Sequence, residues 1–346
     1  AAVAAALTLG VSDLDASGLG GMTYMLIRFA DGNATAIDGT PRAPMVVDRA
    51  ALLELQKAGL VDGYPMAAVP TTLATLQTAV DKYGTMAMAD LLQPALQVAE
   101  AGYRLSPVQV IWTEVYFDRV TSNEYFRHLI GADGYSVVGP GTVHQRPDLA
   151  KTLRRLAEEG VDSFYRGSIA DDIEADMIAN GGFIRKMDLA VTRVREVPPL
   201  RSTYRGREVL TFPPPGGGAA VIKTFDTLET YPSSFFAEHS VERLQVMIEA
   251  ARLGRAAHLE SDPLTPDPFL TMEQRKELAQ RHAQLITPGR AIPTETLKPV
   301  VDPDCQPKPG DSTTHLVVAD RYGNVVSMTQ TIGSSFGAKV ATPGLG

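Results

Sequence analysis

The run Asp311-Ser312-Thr313-Thr314-His315-Leu316 gathers a carboxylate, hydroxyl side chains and an imidazole just before an apolar stretch. It follows the Lys308-Pro309-Gly310 end of a proline-rich loop. Hydroxyl chemistry at the start of a strand is one reading. The other is that Thr is simply common where strands begin, and residue types alone favour that second reading. His128, His144, His239, His258, His282 and His315 include no two at metal-ligand spacing on one helix, which argues for surface and packing roles. Ser17-Gly18-Leu19-Gly20-Gly21 lacks the spaced glycines of a dinucleotide fingerprint and precedes a strand rather than a helix, so it reads as a tight turn. Arg193, Arg195, Arg201, Arg205 and Arg207 are diluted by Glu196 and Glu208 and lack an aromatic ladder; a solvated face is the expectation there, not an anion site.

The elements that must carry these residues are legible in outline. Apolar strand-like runs at 22–29 and 34–37 flank Asp31-Gly32-Asn33, a good hairpin turn. A second hairpin of the same style joins 316–319 to 325–329 through Asp320-Arg321-Tyr322-Gly323-Asn324. Between them the chain is mostly helical. Apolar residues at i, i+3 and i+4 predict helices over 72–83, 87–101, 148–159, 169–179, 240–259 and 271–285, several stopped by Gly or Asn-Gly. The alanine-rich opening at 1–7 predicts a buried helix rather than a signal peptide, since no basic segment precedes it and Asp13 and Asp15 follow. Pro213-Pro214-Pro215-Gly216-Gly217-Gly218 is either a flexible linker or a tight ordered loop. Loops are expected at 262–268 and 299–310. With strands near both ends and helices between, a single interwoven mixed domain is expected.

Composition narrows the function. The chain has 346 residues, 32 basic and 40 acidic, for a net charge of −8. That balance argues against a nucleic-acid partner. Cys305 is the single cysteine, which excludes an intrachain disulfide and a cysteine-rich zinc site. No apolar run approaches the ~18 residues of a membrane span. The compartment stays open on this evidence.

An ordered series of motifs resembles the γ-glutamyltransferase family of N-terminal-nucleophile hydrolases over nearly the whole chain. It runs from Asp15-Ala16-Ser17-Gly18-Leu19-Gly20-Gly21 and Ala36-Ile37-Asp38 through Leu91-Leu92-Gln93-Pro94-Ala95 and Phe164-Tyr165-Arg166-Gly167. It continues through Asn180-Gly181-Gly182 and Phe212-Pro213-Pro214-Pro215 to Thr313-Thr314-His315-Leu316, Gly323-Asn324, Thr329-Gln330-Thr331 and Phe336-Gly337. The resemblance implies an α+β fold, a four-layer αββα sandwich. It implies a precursor that cuts itself between Ser312 and Thr313, with 1–312 belonging to a large subunit and 313–346 opening a small one. Both ends would then lie inside a longer product, and the 346 residues alone would be inactive. Thr313 would be the nucleophile, and Thr331 matches the position whose hydroxyl supports it. A Thr hydroxyl needs a nearby base. The cut supplies one, an α-amine with a reference pKa of about 7.7–8.0.

The implied reaction is acyl transfer from a small γ-glutamyl-type amide to water or an acceptor amine, with no metal or organic cofactor. The implied partners are that small molecule and the two subunits of the same precursor. Many relatives are exported to the periplasm or beyond, and others are cytosolic. Departures from the family pattern bear on substrate. Thr40 stands where an Arg usually grips the substrate carboxylate, with Arg42 the nearest replacement. Gly333, followed by Ser334 and Ser335, stands where many members carry an Asn. Met22-Thr23 replaces glycines common in the turn. Two alternatives follow: a divergent acylase of the same mechanism, such as one cleaving glutaryl amides, or an uncut, non-catalytic binding relative. The family's oxyanion-hole glycines fall beyond Gly346.

Overall fold

The computed structural model describes residues 1–47, 49–60, 62–131, 136–237, 239–259, 271–294, 297 and 312–346. Cys305, Asp311 and the expected loops at 262–268 and 299–310 lie outside the described residues. The chain forms two compact units. The first comprises Ala1–Asn33, Ile37–Glu196 and Lys308–Gly346; the second comprises Ala34–Ala36 and Val197–Pro307.

Most residues of a five-stranded sheet in the order β5-β2-β1-β9-β8 belong to the first unit. The sheet's strands are β1 (Met22–Arg28), β2 (Ala34–Asp38), β5 (Arg195–Val197), β8 (Thr314–Ala319) and β9 (Val325–Thr331). β1 and β9 run antiparallel with Met22 opposite Thr331. β8 and β9 run antiparallel with Thr314 opposite Gln330. Both expected hairpins are therefore present, and a central β1–β9 ladder joins the two ends of the sequence. Strand alternation sets the faces. Thr23, Met25 and Ile27 of β1 and Met328 and Gln330 of β9 are buried, while His315 and Val317 of β8 are exposed on the opposite face.

The first unit also holds the helices α1 (Ala2–Ser12), α2 (Arg49–Lys57), α3 (Thr72–Tyr83), α4 (Met88–Ala101), α5 (Pro107–Val120), α6 (Glu124–Ile130), α7 (Pro147–Glu159), α8 (Asp162–Tyr165), α9 (Ser168–Ala179) and α10 (Lys186–Ala190). The short strands β3 (Tyr103–Arg104) and β4 (Val143–His144) pair beside them. α1 packs on α4 and β8, and α4 packs on α7. Leu7, Leu73, Leu76, Leu92, Leu153 and Ile169 form a continuous core with Met25 and Met328. Cutting any one of these leucines to Ala would cost about 2–5 kcal/mol by transfer and cavity terms. The class is α+β as expected, and the sheet and these helices supply two layers of an αββα sandwich.

The second unit holds the hairpin of β6 (Leu200–Tyr204) and β7 (Arg207–Thr211), then α11 (Gly218–Glu229), α12 (Val241–Leu259) and α13 (Met272–Leu285). Leu228, Val246, Ala250, Leu253 and Ile286 form its core. The Pro-Gly run is the tight ordered loop of the two readings. A Cβ on Gly218 would fall 2.1 Å from the Phe212 carbonyl oxygen. The arginine stretch needs one correction. Arg205 is half-buried rather than solvated, with its guanidinium over Tyr204 and Phe236 and donating to the Leu228 and Tyr231 carbonyls. Tyr204 is the direct neighbour of Arg205, but Phe236 and the two carbonyls lie far enough along the chain that charge patterning alone did not reveal them.

Candidate active site

The sheet register places Thr313, Thr331 and Met22 side by side at one end of β8, β9 and β1. Thr313 Oγ1 donates to Thr331 Oγ1 at 3.1 Å. Thr331 Oγ1 donates to the main-chain carbonyl oxygen of Ser312 at 3.0 Å. It also accepts the Gly333 N–H at 3.0 Å. One hydroxyl thus touches a hydroxyl nucleophile candidate and the carbonyl next to it. Thr313 is exposed, so its oxygen is open to solvent and to a small molecule.

The close approach depends on a glycine. A Cβ on Gly21 would stand 2.3 Å from the Thr331 carbonyl oxygen. The Gly21 carbonyl in turn accepts the Thr71 and Thr72 amides, at 2.8 and 3.0 Å, which ties this turn to the start of α3. The glycine-rich segment is therefore a tight turn, as expected. Gln330 anchors β9 from beneath, donating to the Ala6 carbonyl at 3.0 Å and to Ser17 Oγ at 3.1 Å.

The turn after α1 brings two carboxylates that sequence reasoning had not singled out for chemistry. Asp15 accepts from Ser312 Oγ at 3.2 Å, and Asp13 accepts from Thr314 Oγ1. Asp15 is buried, and burial followed by the neighbouring Asp13 charge raises its pKa above the usual carboxylate range. On the exposed face of the sheet, His315 Nδ1 and Thr329 Oγ1 lie 2.8 Å apart, and Ser327 Oγ and His315 Nε2 lie 3.3 Å apart.

The residues expected to hold substrate are distributed unevenly. A cavity of about 750 Å³ is lined by Thr313, Thr331, Gly333 and Ser334, with Gly20, Gly21 and Pro41 on its wall. Ser334 Oγ donates to the Gly337 carbonyl at 2.9 Å and accepts from Lys339 Nζ at 3.2 Å. Ser335 has no exposed surface. Arg42 is exposed, and its carbonyl accepts the Val69 amide at 3.0 Å. Thr40 is engaged within its own loop. Its hydroxyl donates to Asp38 Oδ1 at 2.5 Å and lies 3.0 Å from Tyr24 OH. Asp38 also carries an ion pair with Arg195.

Lys339 was not foreseen either. Its side chain is buried, with Nζ 2.8 Å from Asp62 Oδ1 and 3.2 Å from the Gly337 carbonyl. Phe336 and Lys339 both adopt left-handed backbone, at φ 61° and 59°. Non-glycine residues hold that conformation only where surrounding contacts enforce it. Among the described residues no group of three His, Cys, Asp or Glu could hold a metal ion, and no helix is long and apolar enough to cross a membrane.

Comparison with known proteins identifies the family. The glutathione hydrolase proenzyme of Pseudomonas sp. (strain A14) is 33% identical over 359 residues, covering 100% of this chain and 61% of the relative. The chain thus spans about three fifths of that relative's length. The crystal structure of Helicobacter pylori gamma-glutamyltranspeptidase superposes with a TM-score of 0.78 at 28% identity, covering 89% of this chain and 90% of that one. Cephalosporin acylase from Bacillus halodurans gives 0.81 at 27% identity, covering 100% of this chain and 63% of that one. The family model for gamma-glutamyltranspeptidase matches residues 1–346, and the chain belongs to that family.

Proposed function

We propose that the protein is a self-processing amidohydrolase and acyltransferase whose nucleophile is Thr313. The observation that carries the reading is the Thr331 hydroxyl, which contacts both Thr313 Oγ1 and the Ser312 carbonyl oxygen. In the first reaction Thr313 Oγ attacks the Ser312 carbonyl carbon. The C–O bond forms, the C–N bond breaks, and the hydroxyl proton ends on the Thr313 nitrogen. The Thr331 hydroxyl donates to the oxygen where negative charge develops, which is the largest kind of stabilisation available to acyl transfer. Water then opens the ester, leaving a Ser312 carboxylate and a free Thr313 amine. The products are a large subunit ending at Ser312 and a small one starting at Thr313.

The freed amine titrates near neutral pH and serves as the base for the second reaction. Thr313 attacks the carbonyl of a γ-glutamyl-type amide, the amine leaves, and water or an acceptor amine resolves the acyl-enzyme. Gly333 and Ser334 line the cavity beside the nucleophile and are the wall a substrate would meet first, with Ser335 buried beneath them. Arg42 would have to turn inward from the exposed loop to take a substrate carboxylate.

A second reading, an acylase acting on other amides, is favoured by the Thr40 contacts. Its hydroxyl is engaged by Asp38 and Tyr24, and no guanidinium stands at that position. Hydrolysis of γ-glutamyl and glutaryl anilides by the full-length protein that carries this sequence separates the two. Faster release from the γ-glutamyl anilide supports the first reading, and faster release from the glutaryl anilide supports the second. Loss of neither activity in Thr313→Ala would sink both.

A further inference from the structure

The turn between α1 and β1 grips the cleavage peptide on both sides of the nucleophile. Asp15 accepts from Ser312 Oγ and Asp13 accepts from Thr314 Oγ1, so the carboxylates bracket Thr313 without touching its hydroxyl. Among the described residues no Lys or Arg lies within ion-pair distance of either carboxylate. The same turn reaches the other wall of the site through its main chain. The Ala16 carbonyl accepts the Ile332 amide at 3.1 Å and the Asp15 carbonyl accepts the Phe336 amide at 2.9 Å. A single short segment therefore spans the Ser312–Thr314 strand start and the turn that follows Thr331.

We propose that Asp15, together with Asp13, is a positioning residue for self-cleavage: the two carboxylates seat Ser312 and Thr314 so that Thr313 Oγ faces the Ser312 carbonyl, and their charge then expels the new Ser312 end. This rests on the reading of Ser312–Thr313 as the bond that is cut. The physical basis is a change of sign at one position. Before the cut, Ser312 presents a neutral carbonyl and a hydroxyl, and a hydroxyl-to-carboxylate hydrogen bond is among the stronger ones. Anchoring the residues on either side removes rotations that would carry the nucleophile off line, which is where orientation acts on rate. After ester hydrolysis Ser312 carries a carboxylate. That carboxylate belongs to the residue whose hydroxyl Asp15 holds, and near a buried Asp15 like charges repel far more than in water. The contact that holds the substrate of the cut releases its product.

The test follows conversion of one chain into two by intact mass, in the full-length protein freshly made as precursor. Asp15→Ala and Ser312→Ala should each slow conversion by about tenfold, the loss expected from a loosened reacting pair. The double variant should be no slower than the slower single one, because both remove the same contact. Asp15→Asn keeps an oxygen acceptor without the charge. It should cut within a few-fold of wild type, yet leave its Ser312 end resistant to carboxypeptidase trimming. Circular dichroism confirms folding, and if Asp15→Ala does not fold, Ser312→Ala and Asp15→Asn carry the test. Wild-type conversion rates in folded Asp15→Ala and Ser312→Ala, or multiplicative effects in the double variant, overturn the positioning role. Trimming of Asp15→Asn as fast as wild type overturns the expulsion. Persistent cutting in Thr313→Ala would instead overturn the cleavage-site reading on which the proposal rests.

Discussion

The Thr331 hydroxyl donates to the Ser312 carbonyl and accepts from Thr313 and the Gly333 amide, so its removal disturbs nucleophile and electrophile together. Thr331→Val keeps a β-branched residue suited to the end of β9 and removes the oxygen. Self-cleavage should slow by about 10²-fold or more, the usual cost of losing one oxyanion donor. Thr331→Ser should stay within a few-fold of wild type; equal rates for Val and Ser would show that the hydroxyl is idle. Gly21→Ala tests the packing behind it. The added Cβ would meet the Thr331 carbonyl at 2.3 Å, so β9 must shift. Such overpacking should lower stability by about 1–3 kcal/mol in a denaturant titration and slow cleavage as well. Family resemblance singled out Thr313 and Thr331, which the fold brings within hydrogen-bond distance, and composition marked the turn at Gly21. Asp13 and Asp15 were not, because their hydroxyl partners lie 301 and 297 positions away and no local pattern records such contacts.

At the scale of elements, the turn after β9 depends on a cation that hydropathy would place in solvent. Lys339 ties Asp62, Ser334 and the Gly337 carbonyl together while holding left-handed backbone. Lys339→Met should cost about 3 kcal/mol, since it removes one partner of a buried ion pair. Asp62 keeps its pairing with Arg119, which limits the loss. Thermal unfolding reads that cost, and an unchanged melting temperature would contradict the assigned role. Strongly periodic helices were legible almost to the residue: 72–83 and 148–159 were expected, and α3 and α7 span Thr72–Tyr83 and Pro147–Glu159. α13 spans Met272–Leu285 against the expected 271–285, with Thr271 as its N-cap and Gln274 closing a capping box. Others were missed for identifiable reasons. α5 mixes aromatic and β-branched residues around its circumference, although Ser106, Pro107 and Gln109 carry a readable capping box. α11 starts inside the Pro-Gly run, where local chemistry argues for a break.

For the whole molecule, the central consequence is that strands on both sides of the proposed cut share one sheet. β1 precedes Thr313 and pairs with β9, which follows it, over seven residues from each strand. Cutting a peptide bond at the sheet's end leaves that ladder intact. The two chains should therefore co-elute in native size-exclusion chromatography and separate only in denaturant; separation under native conditions would contradict the fold. Each unit also carries a histidine held neutral, His144 half-buried in the first and His282 buried in the second. Burial lowers His144 to about 4, and burial with Arg281 and Lys223 lowers His282 to about 4. Unfolded histidine takes its proton near pH 6.5. Between pH 6.5 and 4 the unfolded chain therefore binds more protons, and stability falls as pH falls. His282→Gln should flatten that slope, read as melting temperature against pH, whereas an unchanged slope would contradict the assignment. The division into two units was less legible than the elements, because the strands at both chain ends suggested one interwoven body. The most direct test of the central claim is the intact mass of the full-length protein that carries this sequence, beside that of Thr313→Ala. Two chains meeting at Ser312 and Thr313 in the wild type, with one chain in the variant, is the predicted result. A single uncut wild-type chain, or a variant cut at the same bond, would contradict it.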